Sequence, residues 1–220
     1  MEMQVSIIIP VLDGASYLAR CIASARPGPS QEVVVVDGGS LDASAHVARS
    51  CGAMVLCASR GRGSQMRAGA AAASASWLLF LHADSMLPPG WTSCIASLPA
   101  DRAGYFSLAL DSERMAARVV EWLAARRCAW LALPYGDQGL LIHADLLRSV
   151  GGMPDLPLME DVELARRLGR KRLMRLPGCV TSSAARYERD GYVIRSLRNL
   201  FCLTLYYCGV PVSWIVKRYG

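Results

Sequence analysis

Apolar residues in the first half of the chain come in short runs, each stopped by a polar or turn-forming cluster. Residues 5–10 form a β-branched run closed by Pro10, and Asp13 or Ser16 is placed to cap a helix reaching about Ala25. Arg26-Pro27-Gly28-Pro29-Ser30 breaks that helix, residues 32–36 make a second strand, and Ser40 or Asp42 opens a helix to about Cys51. A third strand is expected over 53–58, an alanine-rich helix over 65–75 and a fourth strand over 77–81. This strand–helix alternation predicts an α/β fold with a mostly parallel central sheet flanked by helices.

After Asp111 the pattern loosens. The breakers Pro88-Pro89-Gly90 predict a helix to about Leu98, residues 105–110 alternate like a half-exposed strand, and 113–127 read as a long helix. Short strands are expected over 139–142 and 173–176, and helices over 144–150 and 160–168, the latter with Leu164 and Leu168 on one face. At 220 residues with no internal repeat or linker, one domain is expected.

Candidate chemistry collects at strand ends. The strand at 32–36 runs into Asp37-Gly38-Gly39-Ser40 and the strand at 77–81 into His82-Ala83-Asp84. In open α/β sheets ligands sit outside the carboxyl ends of the strands, so these acids predict a site for a polar, phosphorylated ligand. Asp37 could accept a hydrogen bond from a base or ribose, or with Ser40 only cap the next helix. The two-residue spacing of His82 and Asp84 puts both on one side of an extended segment, where Asp84 suits Mg²⁺ or Mn²⁺; His82 is either a second ligand or a structural residue.

Glu160-Asp161 opens a helix, where acids favour the macrodipole, but the apolar Leu156-Pro157-Leu158-Met159 before it implies a drier setting that raises a carboxyl pKa. Asp161 is expected as general base, supported by Glu160. Gly61-Arg62-Gly63, with Arg60, Gln65 and Arg67, looks like a phosphate loop without matching a standard one, so Arg60 and Arg62 are either diphosphate contacts or solvated charges. Tyr135-Gly136-Asp137-Gln138 is a polar turn that could bond a sugar or only turn the chain.

Composition narrows the partners. Hydrophobic residues make up 53% and charged residues 19%, which excludes global disorder, and a net charge of +6 suits an anionic partner. Eight scattered cysteines without a CxxC pair argue against a zinc or iron–sulfur site and for reduced, cytoplasmic thiols. The start, Met1 to Val5, lacks a basic segment before an apolar stretch, so no signal peptide is expected. Residues 199–216 carry no charge and lie between Arg195, Arg198 and Lys217, Arg218. Gly209-Val210-Pro211 interrupts them, favouring a core-packed helix and turn, with peripheral membrane contact through 195–218 and a true span as alternatives.

The ordered segments IIIPVLDG, VVVVDGGS, LLFLHAD, PYGDQG and MEDVELARRL together resemble the family-2 glycosyltransferases of GT-A fold. More narrowly the chain is similar to small bacterial glycosyltransferases associated with arsenosugar biosynthesis, with His82-Ala83-Asp84 in place of the usual DxD and Gln65-Met66-Arg67-Ala68-Gly69-Ala70 before it. The resemblance implies metal-dependent, inverting transfer from a nucleotide-diphosphate sugar to the hydroxyl of a small-molecule or lipid acceptor. It assigns 1–100 to the donor half, 101–190 to the acceptor half and 191–220 to a C-terminal apolar helix and tail. Asp161 and Glu160 would be catalytic; Asp84 and His82 would hold Mn²⁺ or Mg²⁺; Pro10, Asp37, Gly38, Arg60, Gln65, Asp137, Gln138 and Arg186 would face the donor. The chain departs from the pattern at Asp13-Gly14, where the family shows Asn-Glu, and at Ala185, which takes the place of one of two consecutive arginines.

Two other classes compete. A sugar-nucleotide nucleotidyltransferase would want a glycine-rich, basic loop directly after the first strand, which Val11-Leu12-Asp13-Gly14 does not supply. A noncatalytic protein binding nucleic acid or an anionic membrane would use the +6 charge, but scattered arginines without an aromatic stacking set argue against nucleic acid.

Overall fold

The computed structural model describes residues 4–26 and 31–219, so the leader reading at Met1 to Met3 and the breaker at 27–30 lie outside the described residues. Strands β1 (Val5–Val11), β2 (Gln31–Asp37), β3 (Met54–Cys57) and β4 (Trp77–Phe80) run parallel in the order β3-β2-β1-β4. Helices α1 (Ala15–Ala25), α2 (Ser44–Ser50) and α3 (Arg62–Ala72) connect them. Beyond β4 the sheet continues through β7 (Leu140–His143), β6 (Ala103–Leu110), β8 (Leu173–Ser182) and the two-residue β5 (Ser85–Met86). β7 is antiparallel to β4 and β6, β6 and β8 are parallel, and β5 is antiparallel to β8. The remaining helices are α4 (Met115–Leu131), α5 (Ala144–Ser149), α6 (Glu160–Leu168), α7 (Ala185–Asp190), α8 (Tyr192–Tyr207) and α9 (Val212–Tyr219).

Both faces of the parallel strands are covered, which is why they read as unbroken apolar runs. Ile7, Ile9, Val33, Val35 and Leu79 point to one core with Leu18 and Ile22 of α1. Ile8, Val34, Val36, Leu78 and Phe80 point to the other with Met66 of α3 and Leu164 and Leu168 of α6. A one-residue slip would exchange these two sets, so the register is strongly specified.

Several expectations are corrected. Neither Asp13 nor Ser16 caps α1: Asp13 takes a left-handed conformation with φ 52°, and Asp42 Oδ2, from the loop after β2, accepts the Ala15 amide at 2.9 Å. Pro88 to Leu98 yields only a 3₁₀ turn at Trp91–Cys94, because Gly90 enters it with φ 70° and Trp91, Ile95 and Leu98 are drawn into the core. β6 is mostly buried rather than half-exposed, since it lies between β7 and β8 with α4 packed on it. β8 continues to Ser182 because a bulge opposite Phe106 absorbs Pro177-Gly178, where a Pro-Gly pair reads as a strand end. At the C-terminus, α8 ends at Tyr207 with Cys208 as its C-cap, and the chain turns through Gly209 (φ 78°) into α9. No helix among the described residues is long and apolar enough to cross a membrane.

Candidate active site

The carboxyl ends of the parallel strands open onto a cavity of about 720 Å³ whose wall includes Pro10, Arg60 and Gln65. A smaller cavity of about 90 Å³ adjoins it and is lined by Asp137, Asp161, Tyr135 and Tyr187. Arg62, His82, Asp84, Arg186 and Tyr219 line both, so the two spaces meet at a carboxylate surrounded by cations.

Asp84 is held at this junction by the backbone: its carbonyl accepts the Ser183 amide at 3.0 Å, just beyond the β5–β8 pairing. Its side chain is 25% exposed and Arg186 Nη2 stands 3.8 Å from Oδ2, a loose ion pair. No group of three or more His, Cys, Asp and Glu among the described residues is placed to hold a metal ion unaided. The arrangement still fits Mg²⁺ or Mn²⁺, which take one or two protein oxygens when substrate phosphates complete the shell. His82 is placed differently from its neighbour. Its Nε2 is buried without a hydrogen-bond partner and packs so closely on Gly136 that a side chain there would collide with it. Burial, reinforced by Arg62 and Arg186, pushes the imidazole pKa well down, so the ring is a neutral part of both cavity walls.

Asp161 and Glu160 begin α6 but face apart. Asp161 lines the small cavity, its Oδ2 accepting the Gly136 amide and its Oδ1 the Val162 amide, both at 2.8 Å. These two bonds fix the carboxylate plane from below. Glu160 is fully buried, outside both cavity walls, and pairs with Arg62, whose Nε lies 3.0 Å from Oε1. That contact has the distance of an ion pair but not the alignment of a hydrogen bond, so both Glu160 oxygens lack hydrogen-bond partners. Burial raises its pKa to about 7, with Asp161 adding to the rise and Arg62 opposing it. The dry setting expected from residues 156–159 therefore acts visibly on Glu160. Asp137, across the small cavity, is likewise raised to about 6 by burial, against the pull of Arg127, and its Oδ1 is buried without a partner.

These raised values have a consequence for stability. Between the ordinary value of 4.5 and about 7, folded Glu160 retains a proton that the unfolded chain has released, so stability falls as pH rises through that window. Asp137 adds in the same direction between 3.8 and about 6. Glu163, lowered to about 2 mainly by its bonds from Arg166, acts oppositely, and its contribution is already complete above 4.5. Urea unfolding midpoints are expected to decline from about pH 5 to about pH 8, with Glu160 contributing about 1–3 kcal/mol. Glu160→Gln flattens the decline; an unchanged slope in that variant would remove Glu160 as its cause.

The expected donor residues divide. Pro10, Arg60 and Gln65 line the large cavity, Arg186 lines both cavities and Asp137 the small one. Gln65 also ties the strand ends together: its buried Nε2 donates to the carbonyls of Val11 and Val36, both at 2.8 Å. Asp37, Gly38 and Gln138 reach neither cavity wall. Asp37 is buried, with Oδ1 accepting the Gly39 and Ser40 amides, so the side chain closes its own turn; it does not cap α2, whose N-cap is Ala43. Gly38 makes room for Gln65, whose side-chain atoms would lie 3.0 Å from an added Cβ. Gln138 is a buried brace: Oε1 accepts from Arg127 Nη2 and the Tyr135 amide, and Nε2 donates to the Phe106 carbonyl. Of the three acids expected to converge, Asp84 and Asp161 line the small cavity together, while Asp37, at the end of β2, lines neither cavity.

Sequence reasoning missed the contribution of the C-terminal segment. Arg195 and Asn199 of α8 and Tyr219 of α9 line the small cavity, and Arg195 stacks on the Tyr219 ring at 4.6 Å. Asn199 Oδ1 is buried there without a partner. The signal was the Gly209-Val210-Pro211 break, which lets α9 fold back along α8. Arg195 is therefore buried and Arg198 pairs with Asp190 at 3.3 Å, so neither is a free membrane anchor.

Comparison with known proteins bears on this arrangement. A search of curated proteins found no match to the sequence. Among solved structures, the chain is similar to mannosyltransferase PcManGT from Pyrobaculum calidifontis, in complex with GDP-Man and Mn²⁺, with TM-score 0.66 and 19% identity over 90% of this chain. It spans 60% of that protein's length. It is also similar to glucosyl-3-phosphoglycerate synthase from Mycobacterium tuberculosis, in complex with Mn²⁺, UDP and glucosyl-3-phosphoglycerate, with TM-score 0.58 and 18% identity over 95% of this chain and 81% of that one. S. aureus TarS 1-349 aligns with TM-score 0.63 and 14% identity over 99% of this chain and 69% of that one. At these identities the structures establish a shared GT-A fold. The profile of "Glycosyl transferase family 2" matches residues 6–122, more than half of the sequence, spanning β2, β3 and β4 and nearly all of β1, and the chain accordingly belongs to that family of glycosyltransferase enzymes.

Proposed function

We propose that the protein transfers a sugar from a nucleotide-diphosphate donor to an acceptor hydroxyl with inversion. The observation that carries this reading is that Asp84, Arg62 and Arg186 stand where the two cavities meet, while Asp161 lines only the smaller one. The large cavity suits the donor, its diphosphate turned toward Arg60, Arg62 and Arg186; the small one suits the acceptor. Mn²⁺ or Mg²⁺ on Asp84, joined by the donor phosphates, would supply neutralising charge for the leaving diphosphate. The cationic neighbours of Asp84 add to that electrostatic role.

Asp161 takes the acceptor proton as the acceptor oxygen bonds to the anomeric carbon. The carbon–oxygen bond to the diphosphate breaks with its electron pair leaving on the diphosphate, and one displacement inverts the centre. The Gly136 and Val162 amides keep Asp161 aimed, and Asp137 and Asn199 line the same cavity beside it, where acceptor hydroxyls would bind. The motif resemblance supports a finer reading, a place in arsenosugar-type biosynthesis. A cytoplasmic setting belongs to the same reading and is carried by cysteine usage in the sequence.

A thermal-shift panel of nucleoside diphosphates and their sugar conjugates, each with and without Mn²⁺, tests the donor class. One nucleotide is expected to raise Tm by about 5–10 °C at a hundredfold excess over Kd, and only with the cation. A panel in which no nucleotide shifts the melting would overturn the proposal.

A further inference from the structure

Two neighbouring helices expose apolar stripes that the catalytic reading does not use. On α4, Met115, Val119, Trp122 and Trp130 are exposed at spacings of four, three and eight residues, one side of a helix, while Ala117, Val120 and Ala124 pack inward. On α8, which packs against α4, the exposed residues Val193, Leu197, Leu200 and Phe201 make a second outward stripe. Trp130 is 68% exposed and Trp122 is 54% exposed. An exposed apolar surface of this extent marks an interaction site in a water-soluble fold.

The charges around it indicate the occupant. Arg126 lies between the two tryptophans on α4, its guanidinium 5.0 Å from the Trp122 ring and 5.8 Å from the Trp130 ring. Arg170, in the 3₁₀ turn Arg170–Arg172, donates to the backbone carbonyls of Ala129 and Trp130, bringing the exposed Lys171 and Arg172 to the same end of α4. The acid on α4, Glu121, is turned inward, accepting the Leu110 amide at 2.7 Å and paired with Arg118. Tryptophan and aliphatic side chains bordered by arginine and lysine suit a lipid interface, where rings sit at headgroup depth and cations reach the phosphates. A second copy of this chain would bring the same cationic rim against itself, on a molecule already carrying +6.

We infer that the α4–α8 face docks on an anionic lipid surface. This differs from the contact expected through 195–218, because the tryptophans and the free cations come from α4 and the 170–172 turn. Arg195 and Asn199 line the small cavity from the opposite side of α8, so docking leaves that helix between the cavity and the lipid.

The test is flotation of the full chain with phosphatidylcholine vesicles made with and without phosphatidylglycerol, at low and raised salt, alongside tryptophan emission. Binding is expected only to the phosphatidylglycerol vesicles, with a blue-shifted emission and weakening by salt. Trp122→Ser with Leu197→Ser, and separately Arg126→Glu with Lys171→Glu, should each lower binding about tenfold or more. Far-UV circular dichroism confirms that the variants remain folded. Absence of flotation on anionic vesicles would overturn the inference, as would parental binding by both folded variants. A concentration-dependent dimer in sedimentation, lost in the serine variant and without vesicle binding, would assign the face to a second copy instead. None of these readouts needs a donor, so this inference and the proposed transferase activity fail separately.

Discussion

Asp161→Asn is expected to bind donor as the parent does and to turn over about 10²–10⁴-fold more slowly, the range contributed by a positioned general base. The amide cannot take up the acceptor proton, yet its oxygen can still accept the 2.8 Å bond from Gly136, so the cavity wall keeps its shape. Donor affinity, read by the nucleotide thermal shift, separates this effect from misfolding. The informative companion is Asp137→Asn, because Asp137 lines the same cavity with a pKa raised to about 6 and an unpartnered Oδ1. Asp137 serves acceptor binding in the proposed arrangement, so its variant should raise acceptor KM more than it lowers kcat. If Asp137→Asn abolishes kcat and Asp161→Asn does not, the base is on the 3₁₀ turn Gly136–Gln138 rather than on α6.

Asp84→Ala should lose cation dependence altogether. The parent is expected to show a nucleotide-induced rise in Tm with Mn²⁺ and little without it; the variant should show the small rise in both conditions. EDTA then lowers the activity of the parent and leaves the residual activity of the variant unchanged. Arg186 loses a partner only 3.8 Å away and more than half exposed, so the substitution costs little stability, on the order of 0–1 kcal/mol. A variant that keeps a Mn²⁺-dependent shift would place the cation elsewhere. The same experiment on His82→Ala separates wall from ligand: Nε2 is packed against Gly136, so cation affinity should be retained while the melting temperature drops.

The site was only partly legible from sequence because some of its residues are assembled from remote turns. Asp84 and Asp161 were readable as acids at a strand end and a helix start, positions fixed by the local pattern. Asp37 was equally readable as an acid at a strand end, yet its Oδ1 is taken by the Gly39 and Ser40 amides of its own turn, leaving Gln65 of α3 to brace the strand ends. Gln138 looked like a sugar contact because it stands beside Asp137, but a 3₁₀ turn sends adjacent side chains in different directions, one to the cavity and one to Phe106. Arg62 looked as much a loop charge as a ligand. Only the fold shows that it opens α3 against the buried Glu160.

What the chain determined by itself was the α/β alternation, the two-faced burial of the parallel strands and the existence of strand-end acids, since side-chain period and turn chemistry act over a few residues. Tertiary structure decided which of those acids reach the cavities, that Glu160 rather than its neighbour is buried, and that α9 returns to close the small cavity with Tyr219. These outcomes depend on which groups desolvate one another across long stretches of chain. Such contacts arise when the sheet and its helices close together, and no local pattern encodes them.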